Sequence, residues 1–203
     1  DKAEQVTGSR ASPCIDQPIT PLKSDEAKLH ADRFDPADDK PRWKRWFERG
    51  LALQSHLSER LDEAIDSFER SAAAVEEAEL DEQARRHRRA MALVGQAQVM
   101  ARQRRHREAI AMFDRAEELV GTHPAIFVGR GDAYAKVWQF DEAVEQYKKA
   151  AEMADDDRVW RKLAVGLGSL GRHREAITAA QNGLAIEPRD PDLLRSQMIA
   201  LRE

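Results

Sequence analysis

The sequence predicts an all-α fold, an α-solenoid built from about four helical hairpins, and three observations support this prediction. The composition is rich in Ala, Glu, Arg and Leu, which favour helix, with 41% hydrophobic and 34% charged residues. Four of the eight prolines lie within residues 1–40, whereas helical periodicity begins at Pro41 and then continues without interruption. A short motif recurs along that periodic part, and a recurring motif is the signature of stacked repeats.

The recurring motif is six residues long and ends in Ala-Ile. Arg-His-Arg-Glu-Ala-Ile at 105–110 is repeated without change at 172–177, and related sequences occur at 62–65 and 141–144. The spacings between the shared alanines are 45, 34 and 33 residues. A unit of this length cannot bury its own apolar face, so the units are expected to stack. The shared alanines are Ala64, Ala109, Ala143 and Ala176.

This pattern resembles the tetratricopeptide repeat, whose units read W-x2-L-G-x2-Y, then A-x3-F, then P. The third unit shows it in Phe127, Gly131 and Tyr134, followed by Ala143 and Tyr147. The resemblance covers about three quarters of the chain and implies a right-handed solenoid in which each unit is two antiparallel helices. The predicted divisions are an extended or disordered N-terminal arm at 1–40, repeats at about 41–79, 81–120, 122–155 and 157–189, and a C-terminal capping helix at 190–203.

Some residues depart from the family pattern or mark its boundaries. Arg49 and Arg130 stand where the pattern has Leu. The first two units are also longer than the last two, and Ser71–Gln83 contains no Pro or Gly. We therefore expect long helices there that project beyond the array. Asp157 and Asp190 each precede a periodic segment and are predicted to cap a helix.

Composition and motifs argue against several classes of function. No nucleophile motif, phosphate-binding loop or His-Glu-x-x-His sequence occurs, so we predict no catalytic residue, no cofactor and no enzymatic activity. The six histidines and the single cysteine, Cys14, lack metal-ligand spacing, so no metal site is predicted. The net charge of −4 argues against a dedicated nucleic-acid binder. The compartment stays open: cytoplasmic, or exported if Asp1 marks a processed N-terminus.

The family resemblance implies a concave groove, lined by the first helix of each unit, that takes an extended peptide or a helix. Candidate asparagine positions of the subfamily that binds chaperone C-termini are occupied by Leu51, Gln96, Asp132 and Val165, which argues against that ligand. The groove-facing candidates carried over from the family are Lys44, Phe47, Leu51, Arg89, Gln96, Val128, Asp132, Lys136, Arg158, Arg161 and Val165.

A basic stretch at 85–107 contains eight arginines and no acidic residue. It could form a patch for an acidic protein, a phosphate-bearing lipid surface or nucleic acid. It could equally be a solvated helix surface paired with the acidic run immediately upstream at 76–82. The arginines are Arg85, Arg86, Arg88, Arg89, Arg102, Arg104, Arg105 and Arg107.

The function that these observations favour is protein binding. We expect a scaffold or accessory subunit that binds one or more proteins, within a larger complex, through the groove, the N-terminal arm or both. One alternative is an accessory or regulatory module of a multi-component enzyme. A second is polyanion binding through the basic stretch at 85–107. Homo-oligomerisation is left open.

Overall fold

The structure is a computed structural model that describes residues 40–56 and 60–202. Within these ranges it contains nine α-helices and no strand. The predicted arm at 1–40 lies, apart from Lys40, outside the described residues. In chain order the helices are α1 (Arg42–His56), α2 (Leu61–Glu76), α3 (Glu82–Arg102), α4 (His106–Val120), α5 (Pro124–Lys136), α6 (Phe140–Met153), α7 (Asp157–Ser169), α8 (His173–Ile186) and α9 (Pro191–Ala200).

The helices form four hairpins that stack in chain order, as the sequence predicted. Within each hairpin the first helix packs on the second, and the second packs on the first helix of the next hairpin. The last helix, α9, packs on both α7 and α8. The contacts therefore join neighbouring units only, which is the arrangement of a solenoid.

The curvature of the stack follows from unequal contacts on its two sides. On the side of the first helices, α1 contacts α3, α3 contacts α5, and α7 contacts α9. Successive second helices make no comparable contact within the described part of the chain. The first helices are thus closer together and form the inner, concave side.

In the first three units, the aromatic residue of the motif packs where a glycine leaves room for it. The Phe68 ring lies between α1 and α3, where a methyl group at Gly50 or Gly95 would come within 2.8 Å or 2.5 Å of the ring. Tyr147 lies against Gly131 in the same way, at 2.6 Å. The small residues of the repeat are therefore needed for close approach of the helices.

The two arginines that depart from the pattern are matched by polar residues on the second helix of their own unit. Arg49 donates a hydrogen bond to Ser67 Oγ at 3.0 Å, and Arg130 Nε donates to Gln146 Oε1 at 3.0 Å. Ser67 and Gln146 each lie three residues after the shared alanine. The other two units have apolar pairs at the equivalent places, so each unit is internally matched. Those pairs are Val94 with Met112 and Leu163 with Ala179.

Arg130 is the most buried of these cations, with a side chain only 9% exposed. Its guanidinium pairs with Asp114 at 2.6 Å and Glu117 at 2.7 Å, both on α4. Burial opposes its charged form, but the hydrogen bonds to Asp114 and Glu117 outweigh that cost and raise the pKa of Arg130 above its ordinary value. Arg130 thus links α4, α5 and α6 at the junction of the second and third units.

A recurring Arg-x-x-Glu sequence, with Gln in place of Arg in the third unit, stabilises the start of each second helix. α2, α4, α6 and α8 have no side-chain N-cap hydrogen bond. Instead, the residue before the helix bonds a glutamate three positions later, which favours an acidic first turn. The pairs are Arg60 with Glu63, Arg105 with Glu108, Gln139 with Glu142, and Arg172 with Glu175.

In the second, third and fourth units, whose turns the structure describes, the turn between the two helices has one residue with a left-handed backbone. Arg104, Trp138 and Gly171 occupy equivalent positions, with φ of 64°, 65° and 69°. Only the fourth unit uses glycine, which adopts this conformation without steric cost. The other two units hold a strained residue there.

The long helices expected around Ser71–Gln83 are found in part. α2 ends at Glu76, and α3 begins after Asp81, whose side chain accepts from Ala84 N, so the segment is broken between them. Acidic residues destabilise the carboxyl end of a helix and favour its amino end, which places the break there. The extra length lies in α3, which has 21 residues against 13 in α5 and α7. The cap of α7 is Asp156, not Asp157; the predicted cap of α9 by Asp190 is confirmed.

Candidate functional site

The candidate binding surface is the groove, the concave face formed by α1, α3, α5, α7 and α9. In the first unit Lys44 is exposed, whereas Phe47 and Leu51 are half-buried. The Phe47 ring stands edge-on to the Phe68 ring with 5.5 Å between centroids, and Leu51 packs on the same cluster. At the amino-terminal end of the groove, Phe47 and Leu51 therefore pack mainly into the core, and Lys44 is exposed to solvent.

The second unit departs from expectation at Gln96, which is only 5% exposed. Its helix, α3, packs against α1, α2, α4 and α5. Gln96 is thus an interior residue and does not line an open groove. Arg89 is exposed and pairs with Glu76 at 3.2 Å.

In the third unit Asp132 links successive units across the groove. Its carboxylate accepts from Lys162 Nζ at 2.6 Å and from the Tyr147 hydroxyl at 2.7 Å. Burial, and then the charge and hydrogen bond of Asp132, raise the pKa of Tyr147 well above its ordinary value, so the hydroxyl stays a donor. Val128 is half-buried, and Lys136 is exposed.

In the fourth unit Arg161 and Arg158 make ion pairs, whereas the Val165 side chain stays exposed to solvent. Arg161 contacts Asp190 and Asp192, each at 3.2 Å, and so links α7 to the start of α9. Arg158 bonds Asp156 at 2.8 Å, and this bond lowers the pKa of that carboxyl. Val165 is 55% exposed.

One groove residue was missed by the sequence reasoning. Ile199 lies 34 residues after Val165, at the equivalent position of α9, and is 56% exposed. The 34-residue spacing from Val165 could have identified it, but α9 was interpreted only as a capping helix. Val165 and Ile199 form two apolar steps at the carboxyl-terminal end of the groove.

Most arginines of the predicted basic patch are paired with acidic or aromatic side chains. Arg85 and Arg86 both bond Glu82, at 3.0 and 2.8 Å, and lower its pKa, with the Arg86 hydrogen bond the largest cause. Arg88 lies over the Trp43 ring at 4.7 Å, which is a cation–π contact. Arg89 and Arg105 pair with acidic residues, as described above. Within the described residues, only Arg102, Arg104 and Arg107 of the eight lack a partner.

Two histidines lie at the junction of the second and third units. The His87 and His123 rings are 6.4 Å apart. His123 Nδ1 accepts from Ala125 N and so caps α5, which requires the unprotonated nitrogen. Burial lowers the pKa of His123; burial, Arg88 and His123 lower that of His87.

A separate cleft of about 470 Å³ lies on the outer side, between α6 and α8. Its floor includes Trp160, Leu163 and Ala179, and Lys148 and Glu175 lie at its rim, where they form an ion pair of 3.1 Å. The small side chain of Ala179 leaves this space open.

Neither metal ligation nor membrane insertion finds a candidate in the part that the structure describes. Across residues 40–56 and 60–202, no three His, Cys, Asp or Glu side chains converge as metal ligands would. No helix in these two ranges combines the length and the apolar character needed to cross a bilayer.

Comparison with known proteins gives a consistent result. A family model described as tetratricopeptide repeat matches residues 125–157, which cover most of the predicted third unit at 122–155 and reach the start of the fourth. Small glutamine-rich tetratricopeptide repeat-containing protein 2 of Mycosarcoma maydis is 29% identical over 90 residues, which is 44% of this chain and 25% of the relative. The match thus spans about a quarter of that relative's length.

Solved structures share the fold at low sequence identity. YrrB, described as a tetratricopeptide-repeat protein with an unusual peptide-binding site, superposes with a TM-score of 0.62 at 19% identity, over 85% of this chain and 84% of its own. MamA of Desulfovibrio magneticus RS-1 also gives 0.62, at 16% identity, over 88% and 86%. The Sgt2 domain of Aspergillus fumigatus gives 0.52 at 17% identity, over 56% and 77%.

Proposed function

We propose that this chain, which has the fold of tetratricopeptide-repeat proteins, is a non-catalytic scaffold that binds a protein partner in the carboxyl-terminal half of the groove. The observation that carries this proposal is the exposure of Val165 and Ile199, at 55% and 56%, on a face otherwise held in place by ion pairs. Two apolar side chains at equivalent positions of successive groove-lining helices, α7 and α9, suit a partner segment with two apolar anchors.

The frame around these two residues supports a binding role. Lys162 with Asp132 joins α5 to α7, and Arg161 with Asp190 joins α7 to α9. These links cross between units, so the relative positions of the first helices are set before a partner arrives. A surface that is ordered in advance loses less entropy on binding.

The charges beside the two apolar residues indicate the character of the partner. Lys136 and Arg195 are exposed and lack partners among the described residues. Arg158 is also exposed and forms an ion pair with Asp156. A partner segment with acidic residues beside its apolar anchors would therefore be complementary. YrrB, the structural relative described with a peptide-binding site, is a precedent for the fold.

Site-specific photo-crosslinking tests this proposal. A photo-reactive phenylalanine analogue would replace Val165 in the full chain, within cells of the source organism or their lysate. The matched control carries it at Arg115, an exposed residue of α4 on the outer side. We expect a discrete crosslinked protein from position 165 and none from position 115. Equal crosslinking at both positions, or none at 165, would overturn the proposal.

A further inference from the structure

The turns inside the second and third units lie next to each other on one edge of the stack. The successive first helices α3 and α5 contact each other and run in the same direction, so both end at this edge. Residues 102–107 begin at the last residue of α3, and residues 136–140 begin at the last residue of α5. We call these two segments the turn edge.

Trp138, on the turn edge, is the most exposed large apolar side chain among the described residues, at 82%. Its φ is 65°, and Arg104, at the equivalent position of the second unit, has a φ of 64°. This conformation is unfavourable for any residue that has a side chain. The Trp138 ring stands edge-on to the half-buried Phe140 ring, with 5.9 Å between centroids. The chain therefore holds an indole in solvent at a strained position, and retained strain is a signature of functional surfaces.

Four cations share the turn edge with Trp138. All four are exposed, and none has an acidic partner in the described residues. Burial, and then the charges of Arg104 and Lys136, lower the pKa of His106, so cations from both units lie close enough to act on one ring. The four cations are Arg102, Arg104, Arg107 and Lys136.

The acidic residues beside the turn edge leave a positive excess. Residues 102–108 and 136–142 contain five arginines and lysines and three acids, in a chain whose net charge is −4. Glu108 pairs with Arg105 at 2.6 Å, and Glu142 accepts from Gln139 Nε2 at 3.1 Å. The turn edge is thus a locally basic surface with one projecting aromatic ring.

We propose that the turn edge binds the surface of a lipid bilayer that contains anionic headgroups. The Trp138 indole would lie at the level of the headgroups, which tryptophan favours because its ring is apolar while its N–H can still donate a hydrogen bond. The four cations would lie near the lipid phosphates, where each adds to the attraction. This contact is separate from protein binding at Val165 and Ile199 and goes beyond it.

A bilayer fits this surface better than a folded protein or a nucleic acid does. Protein interfaces surround their aromatic anchors with an apolar core, whereas the neighbours Lys136 and Gln139 of Trp138 are both exposed and polar. A fluid headgroup layer adapts to a single projecting ring. Proteins that bind single-stranded nucleic acid stack successive bases on several aromatic rings, and the turn edge exposes one.

Co-sedimentation of the full chain with lipid vesicles tests the proposal. The probes are vesicles of phosphatidylcholine alone and of phosphatidylcholine with about one third phosphatidylserine. We expect binding to the anionic vesicles only, weakening as the salt concentration rises. Arg104→Gln should weaken this binding by about fivefold. The matched control, Arg115→Gln at an exposed cation on the outer side of α4, should leave it unchanged.

Variants of Trp138 separate a lipid contact from a structural role. Trp138→Gly introduces the residue that the fourth unit has at this turn, Gly171, so the turn is kept while binding should weaken by about tenfold. Trp138→Tyr keeps an interfacial aromatic ring and should retain most of the binding. Bromine-labelled lipids should quench the tryptophan emission of the wild type but not that of Trp138→Tyr. The other tryptophans, Trp43, Trp46 and Trp160, are half-buried.

Several results would overturn the proposal. They are no binding to the anionic vesicles, unchanged binding of Trp138→Gly, equal loss in Arg104→Gln and Arg115→Gln, or no quenching in the wild type. Tighter binding of a single-stranded oligonucleotide that depends on Trp138 would also overturn it and assign the turn edge to nucleic acid. Circular dichroism confirms that each variant is folded.

Discussion

Replacement of Arg130 by Leu, the residue that the repeat pattern prefers, tests the interpretation that each unit is internally matched. The guanidinium contacts Asp114, Glu117 and Gln146 from a position 9% exposed. A leucine fills the space in the apolar manner of the fourth unit, but it leaves the amide of Gln146, 7% exposed, without its donor. The variant therefore separates the contribution of the cation to stability from the contribution of a matched pair of side chains.

The magnitude follows from what each partner loses. Removing one member of a buried ion pair costs about 3–5 kcal/mol when the other charge stays buried. Here the Asp114 and Glu117 side chains are 50% and 32% exposed, so water can solvate both carboxylates. The remaining cost is the unsatisfied buried amide, about 1–3 kcal/mol, partly offset by burial of the leucine. We expect the free energy of unfolding to fall by about 1–3 kcal/mol.

A double-mutant cycle gives the decisive comparison. Arg130→Leu with Gln146→Met recreates the Val94 and Met112 type of pair found in the second unit, and should regain most of the lost stability. Arg115→Leu, on an exposed site of α4, is the control and should change stability by less than about 0.5 kcal/mol.

Urea unfolding followed by circular dichroism measures the total change. Repeat arrays can unfold in parts, so hydrogen exchange of α4, α5 and α6 should accompany it. The matched-pair interpretation is refuted if the double variant is less stable than Arg130→Leu alone, or if Arg130→Leu is as stable as the wild type.

Three further predictions concern turns, close packing and pH. Gly171→Ala should destabilise by about 1 kcal/mol in thermal unfolding because of the positive φ, whereas Trp138→Gly should stabilise slightly. Gly131→Ala should lower the unfolding midpoint, since its methyl group would meet the Tyr147 ring at 2.6 Å, and a smaller residue at 147 should partly compensate. Burial lowers the pKa of His123. The stability that neutral His123 contributes is therefore fully present above the pKa of an unfolded histidine, about 6.5, and is lost as the pH falls through the lowered pKa of the folded state. His123→Asn should keep the cap and reduce this loss in unfolding experiments at graded pH.

Much of the fold was predictable because the same helix packing recurs in each unit. The identical hexapeptide at 105–110 and 172–177 marked two second helices, and the spacing of the alanines placed the others. The small residues identified the helix crossings, where Gly50 and Gly131 face aromatic rings. These are local patterns with one structural solution, so a single sequence contains enough information to identify them.

The remaining features depend on contacts between units, which the motif does not specify. Gln96, for example, is buried on α3, which packs against four helices. The partners of Arg130 on α4 belong to a different unit. The partner of Arg49 was nevertheless visible: a polar residue follows the shared alanine by three positions only in the units that contain these arginines.

The binding constant of the crosslinked partner tests the central claim most directly. The full chain would be compared as wild type, as Val165→Glu in the groove, and as Thr178→Glu on the exposed outer side of α8. A buried, unpaired carboxylate costs several kcal/mol, so the proposal predicts at least a roughly tenfold loss of affinity for Val165→Glu and no change for Thr178→Glu. Unchanged affinity for Val165→Glu, or an equal loss in both variants, would contradict binding in the groove.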